Sequence, residues 1–333
     1  MKIVFVQLAN TPKKYVWLNI AQSKVLFPSI EHVLITDQPQ VIKEAQKRDI
    51  STWRYETECQ ITEIFESMQT DKLFRSGFWR YTLERLIALT KFQQSTNNEA
   101  ILHVESDVIL ATNFPFKQLT EISKVLWLPY NSIRDVASLL YIPNSSESIW
   151  FENEIIHEID KDSSSTDMTV LNKIANRTYP RVGYFPVIEQ KNSSLLAVSA
   201  TETFVDRASH YSNHFSGIFD AAPLGMWITG QDPRNNRGYI LRHSELPDSS
   251  VDPKKLEGQL NFDEERKMYF RTNQVFNLHI HSKQNKYFGL TNWNIIYDEI
   301  NKVDYWNESR SFSLTAFYDL LKGFLGRRLR KFI

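Results

Sequence analysis

The 333-residue chain contains one cysteine, Cys59, so no disulfide can form within it. That usage fits a reducing compartment, and a cytoplasmic protein is expected. Glycine is sparse, at 10 residues, and the stretch "QLANTPKK" after the first apolar run has none. A Gly-rich phosphate-cradling loop is therefore missing where a sugar nucleotidyltransferase would carry one. No run approaches 18 apolar residues, so no segment is expected to cross a bilayer. The opening "MKIVFVQLANTPKK" has too short an apolar run for a signal peptide, and no small-residue cleavage site follows. A surplus of one charge is lacking too. Lys+Arg and Asp+Glu stand at 39 each, and no global field points to nucleic acid. Internal repeats, low-complexity tracts and linkers are likewise missing.

What the chain does have is an ordinary globular composition, 42% hydrophobic and 23% charged, rich in aromatics at 13%. Its patterning alternates. "KIVFVQL" reads as a strand, "KKYVWLNIAQSKVLF" as a helix, "HVLITD" as a strand and "PQVIKEAQKRD" as a short helix. Such alternation argues for an α/β fold, a mostly parallel sheet flanked by helices. In "SGFWRYTLERLIALTKFQQ", Trp79, Leu83, Leu86, Ile87 and Thr90 fall at helical spacing, with Ser76 as the cap. Strands are expected at "AILHVESDVIL", "KVLWLPY" and "ASLLYIP", and helices at "SIWFENEIIHEI" and "DMTVLNKIAN", the latter capped by "SSST". Beyond about residue 180 the pattern weakens. "RVGYFPVI" and "SLLAVSA" read as short strands, "FDAAPLGMWITGQDPRNNRG" as an ordered loop with a helical core, and "FNLHIHSK" as a late strand.

"ILHVESDVIL" poses the functional question. Its aliphatic residues suit a strand buried on both faces, yet it holds His103, Glu105 and Asp107. A buried carboxylate needs a partner. Residues i and i+2 of a strand face one side, so Glu105 and Asp107 can point to one place. Two such acids at a strand end suit a hard divalent cation, Mg²⁺ or Mn²⁺. The competing reading is a pair of acids held by Arg or Lys at a loop entry. His279 and His281 form a second i, i+2 pair, readable as a zinc site or as hydrogen-bonded structural imidazoles.

The acid-x-acid triplet, placed after the Arg-bearing helix in an α/β unit, resembles the DxD motif of GT-A glycosyltransferases, with Glu in the first position. The resemblance covers roughly residues 1–290 by element order. It implies a GT-A-like (Rossmann-like) fold with a C-terminal helical extension. A single catalytic domain would span residues 1–310, with 1–110 the nucleotide-binding half and 111–310 the acceptor half. It further implies transfer of a sugar from a UDP- or GDP-linked donor to a saccharide or lipid-linked saccharide acceptor, of the bacterial surface-polysaccharide type. Asp107 and the weaker candidate Glu105 would hold the metal, His281 would complete its site, and Lys283 would neutralise the diphosphate. Arg85 would lie near the nucleotide, and Gln7, Asn10 and Asp37 would cradle base and ribose. Asp167 would sit near the sugar or acceptor. Asp220 is the candidate acceptor base, with Asp232 a turn residue and Trp227 either a stacking or a core residue. Two alternatives stay open: a zinc hydrolase using His279 and His281, and a non-catalytic nucleotide- or sugar-binding protein of the same fold.

Residues 311–333 read as a basic amphipathic helix. Phe317, Leu320, Leu321, Phe324, Leu325 and Leu329 repeat at helical spacing, among Lys322, Arg327, Arg328, Arg330 and Lys331. Such a segment suits an anionic membrane surface and would hold the enzyme peripherally on the inner face.

Overall fold

The computed structural model describes residues 1–68, 77–189, 196, 200–234, 240, 242, 248–257, 260–262, 268–270 and 273–289. The expected 311–333 helix, the Ser76 cap and most of "SLLAVSA" lie outside them. The first half alternates as its sequence suggests: β1 (Lys2–Gln7), α1 (Lys14–Leu26), β2 (Glu31–Thr36), α2 (Pro39–Gln46), β3 (Ser51–Arg54), α3 (Cys59–Ser67), α4 (Phe78–Gln94) and β4 (Ile101–Val104). Then follow β5 (Val108–Leu110), α5 (Phe116–Thr120), β6 (Leu126–Pro129), β7 (Asp135–Ile142), α6 (Ser145–Lys161), α7 (Asp167–Thr178) and β8 (Gly183–Tyr184).

These strands, β5 excepted, form one seven-stranded sheet in the order β3-β2-β1-β4-β7-β6-β8. The pairs β1–β2, β2–β3, β1–β4 and β6–β8 are parallel. Only β7 runs against its neighbours, β4 and β6. The expected α/β class with a mostly parallel sheet is the one found.

The later chain holds α8 (Glu202–Ser209), α9 (Ser212–Phe215), β9 (Gly217–Ile218), α10 (Pro223–Thr229) and α11 (Pro253–Glu257). The strands β10 (Leu260–Phe262), β11 (Met268–Phe270), β12 (Asn273–Val275) and β13 (Asn277–His279) follow. The expected helical core of the "FDAAPLGMWITGQDPRNNRG" loop is α10.

Strand alternation divides the core between the two faces. Val4 and Ile101 pack with Leu83, Leu86 and Ile87 of α4. Ile3, Phe5, Leu102 and Val104 pack with Val16 and Ile20 of α1. On β4, His103 shares the parity of Ile101, and Glu105 is the next residue of that parity. Both are thereby directed to the α4 side.

Two sequence expectations need correction. The single strand over 101–110 is two strands, broken at 105–107, where the Val108 amide donates to the Glu105 carbonyl at 2.9 Å. The reason lies in the partners. Before the break β4 pairs with β7, and after it β5 pairs antiparallel with β13, Val108 opposite His279. The side chain of Asn19 on α1 secures the turn, donating to the carbonyls of Ser106 at 3.1 Å and Val108 at 2.7 Å. Likewise the late strand stops at His279 instead of running through Lys283. The His281 amide turns back onto the His279 carbonyl at 2.8 Å, so the two histidines are not alternate residues of one strand.

Candidate active site

The break in "ILHVESDVIL" lies at the carboxyl end of β4, where open α/β sheets bind ligands. A cavity of about 670 Å³ opens there. Its lining includes Val6 of β1, His103 of β4, Thr82 and Arg85 of α4, and the triplet itself. Asp167 lines it from the start of α7, and His279, His281 and Lys283 from the end of β13. Phe78, Trp79 and Tyr130 give it aromatic walls.

The question of partners for Glu105 and Asp107 has a direct answer. Arg85 Nη1 bonds Glu105 Oε1, and its Nη2 donates to Asp167 Oδ2 at 3.0 Å. Lys283 Nζ lies 3.0 Å from Asp107 Oδ2. Between the two acids sits His279, its Nε2 3.4 Å from Asp107 Oδ2 and 3.7 Å from Glu105 Oε2. One ligand atom from each of Glu105, Asp107 and His279 lies within 4.8 Å of the others.

The electrostatics follow from this packing. Burial opposes ionisation of Glu105, but the adjacent Arg85 charge outweighs it and holds the carboxyl below its usual range. For Asp107, burial is again outweighed, here by Lys283 and then His279, and the carboxyl is held well below its usual range. Burial would lower Lys283 and His279, yet the Asp107 charge raises both. Asp167 goes the other way: burial raises it more than Arg85 lowers it.

The donor set fits a divalent cation. Two carboxylates and one imidazole, through His279 Nε2, converge on one place. Oxygen ligands with one imidazole suit Mn²⁺ or Mg²⁺ better than a thiolate-rich zinc site.

The other predicted residues fall in different places. His281 lines the cavity, but its Nδ1 accepts from the Asp232 amide at 2.8 Å. Burial, then the His279 and Lys283 charges, push its pKa down to about 3. Gln7, Asn10 and Asp37 cluster at the ends of β1 and β2. Asp37 accepts from the Ala9 amide at 2.9 Å and the Gln38 side chain at 2.9 Å, and Gln7 Nε2 donates to the Asn10 carbonyl at 3.1 Å. None of the three lines the cavity.

Asp220, expected as a base, is also outside the lining. It accepts from the amides of Ala222 at 2.9 Å, Leu224 at 3.1 Å, Gly225 at 2.8 Å and His279 at 3.0 Å. Its carboxylate caps α10 and ties that helix to β13, a capping role in place of the expected acceptor base. Asp232 is the expected turn residue, accepting from the Arg234 amide at 2.9 Å. Trp227 is 5% exposed and packs in the core. Sequence reasoning passed over Asn19 and placed His279 second to His281. A polar residue on the inner face of α1 is the signal that could have found Asn19.

No family model matches the chain, and no curated protein does. Solved structures do match. The chain is similar to PaToxG glycosyltransferase, with 8% identity, a TM-score of 0.33, and 54% of this chain and 69% of that one covered. It is similar to core-mannan synthase A of Aspergillus fumigatus in its Mn/GDP form, with 8% identity, a TM-score of 0.40 and coverages of 56% and 73%. It is also similar to mouse xyloside xylosyltransferase 1 in its apo form, with 7% identity, a TM-score of 0.38 and coverages of 56% and 84%.

Proposed function

We propose that the chain is a metal-dependent glycosyltransferase that moves a sugar from a UDP- or GDP-linked donor to a saccharide or lipid-linked saccharide acceptor. The observation that carries this reading is the convergence of Glu105, Asp107 and His279, flanked by Arg85 and Lys283, at the mouth of a parallel sheet. A binding protein for neutral saccharides alone has no need of three carboxylates and two part-buried cations in one cavity. A zinc hydrolase built on the histidine pair is less well supported, because His281 is tied to Asp232.

The divalent cation, Mn²⁺ or Mg²⁺, would supply charge neutralisation on the leaving diphosphate. The chain's own groups supply the rest. Lys283, freed from Asp107, carries a positive charge to the phosphates. Arg85 fixes Glu105 and Asp167 on one plane of the cavity and keeps Glu105 ionised. Asp167 is the carboxylate available to an acceptor hydroxyl, since Asp220 is engaged with backbone amides. Phe78, Trp79 and Tyr130 offer faces on which sugar rings stack.

Thermal unfolding with UDP, GDP and their glucose-, galactose- and mannose-linked forms, with and without Mn²⁺, tests the reading. A ligand at 100 times its Kd adds about 2.7 kcal/mol to stability by mass action. The expected result is a Mn²⁺-dependent rise with one nucleotide series, lost in Asp107→Ala. A protein whose midpoint ignores every nucleotide would sink the reading.

A further inference from the structure

His103 is the one ionisable residue of "ILHVESDVIL" that the acid cluster does not use. It is 1% exposed and lines the cavity. Its Nδ1 lies 3.0 Å from the Val4 carbonyl. A carbonyl only accepts, so Nδ1 carries the proton and Nε2 presents a lone pair. His103 Nε2 nevertheless has no hydrogen-bond partner among the described residues.

Arg85 supplies the complement. Its two terminal nitrogens are taken by Glu105 and Asp167. Its Nε–H is buried and also lacks a partner among the described residues. Strand parity directs His103 to the α4 face, and Arg85 projects from α4 into the same cavity. One buried acceptor and one buried donor in a single lining are each costly to leave unmatched. A hydroxyl group both donates and accepts, and so answers the two together.

We propose that His103 Nε2 and Arg85 Nε form a hydroxyl-reading pair that binds one hydroxyl of the donor's sugar ring. The proposal rests on the nucleotide-sugar reading above. Through Glu105, Arg85 ties the pair to the acid cluster whose other acid, Asp107, holds Lys283, the group proposed to meet the diphosphate. The hydroxyl-bearing ring joined to that diphosphate is the part of the donor within reach. A site that has to satisfy such a pair discriminates against a donor lacking the matching hydroxyl.

Calorimetric titration of UDP, GDP and their hexose-linked forms onto the wild type, His103→Asn and His103→Gln tests this. Asn keeps a donor for the Val4 carbonyl and removes the distal acceptor, whereas Gln reaches the Nε2 position. The expected result is that His103→Asn loses roughly tenfold in affinity for the preferred nucleotide sugar and nothing for the bare nucleoside diphosphate. His103→Gln should recover part of that loss. The wild type alone gives a second readout, a similar loss when one donor hydroxyl is replaced by hydrogen. An unchanged nucleotide-sugar affinity in His103→Asn, with no hydroxyl singled out by the wild type, would mean the pair holds a buried water only. An equal loss for the bare diphosphate would put the pair on the nucleoside. Either overturns the sugar assignment while leaving the transferase reading intact. A wild type that binds no nucleotide in any form overturns both.

Discussion

Asp135, the first residue of β7, has no solvent exposure. Its carboxylate accepts from Trp127 Nε1 at 3.0 Å and Asn172 Nδ2 at 3.3 Å, two neutral donors. Burial pushes its pKa up to about 6, opposed by these bonds and by the buried Arg207 nearby. The folded state thus holds this proton more tightly than the unfolded chain, where an aspartate titrates near 3.9. The stability gained from it is full below about pH 4 and is lost as pH rises through about 6. The melting temperature of the wild type relative to Asp135→Asn should therefore fall between those values and level off above them, as calorimetry across that range would show. A difference that stays flat would mean Asp135 is ionised throughout. At this scale the sequence was partly legible. Acids and an arginine announce themselves by type, but the pairing of Arg85 with Glu105 and Asp167 comes from the fold. Which of two histidines enters a cluster is decided by where β13 ends, and no residue type records that. Asp220 shows the same limit: an aspartate within a loop of small residues looks alike as a base or as a cap.

At the scale of elements, the site depends on α10 lying flat against β13. Gly225 makes that possible. A Cβ at this position would stand 2.0 Å from the His279 carbonyl oxygen and 2.9 Å from Asp220 Oδ2, and the first of these is backbone that cannot step aside. Gly225→Ala should push α10 off the strand and carry His279 with it. We expect a clear loss of stability in urea unfolding, and loss of the Mn²⁺-dependent nucleotide response in whatever fraction folds. A variant that melts and responds like the wild type would show that α10 does not position His279. The alternation of β1, α1, β2 and α2 was legible because short runs of Ile, Val, Leu and Phe alternate with longer mixed polar and apolar segments. The break at 105–107 was not. The aliphatic run on both sides is continuous, and only the exchange of partner from β7 to β13 divides it.

For the molecule as a whole, the mostly parallel sheet and its class could be read from the sequence, whereas the small strands after residue 200 pair across distances that local pattern does not encode. The basic segment 311–333 lies outside the described residues, and its proposed role is tested on the entire chain. Each Lys or Arg at an anionic surface adds about 1 kcal/mol. Deleting residues 316–333 should release the protein from phosphatidylserine vesicles in a sedimentation assay while leaving the nucleotide response in place. Undiminished binding would reject that role.

The pairing of Val108 with His279 joins two points about half the chain apart, and this bears on when the molecule becomes competent. During synthesis the sheet's first four parallel strands can pair as soon as β4 has emerged, since β1, β2, β3 and β4 need nothing later. The acid turn is by then present but still lacks His279 and Lys283. Both arrive only when β13 docks, so a chain that ends before residue 279 lacks the groups that would close the proposed cation site. On the proposed reading, competence is acquired in a single late event, and a product that ends before residue 279 should give no Mn²⁺-dependent response to sugar nucleotides.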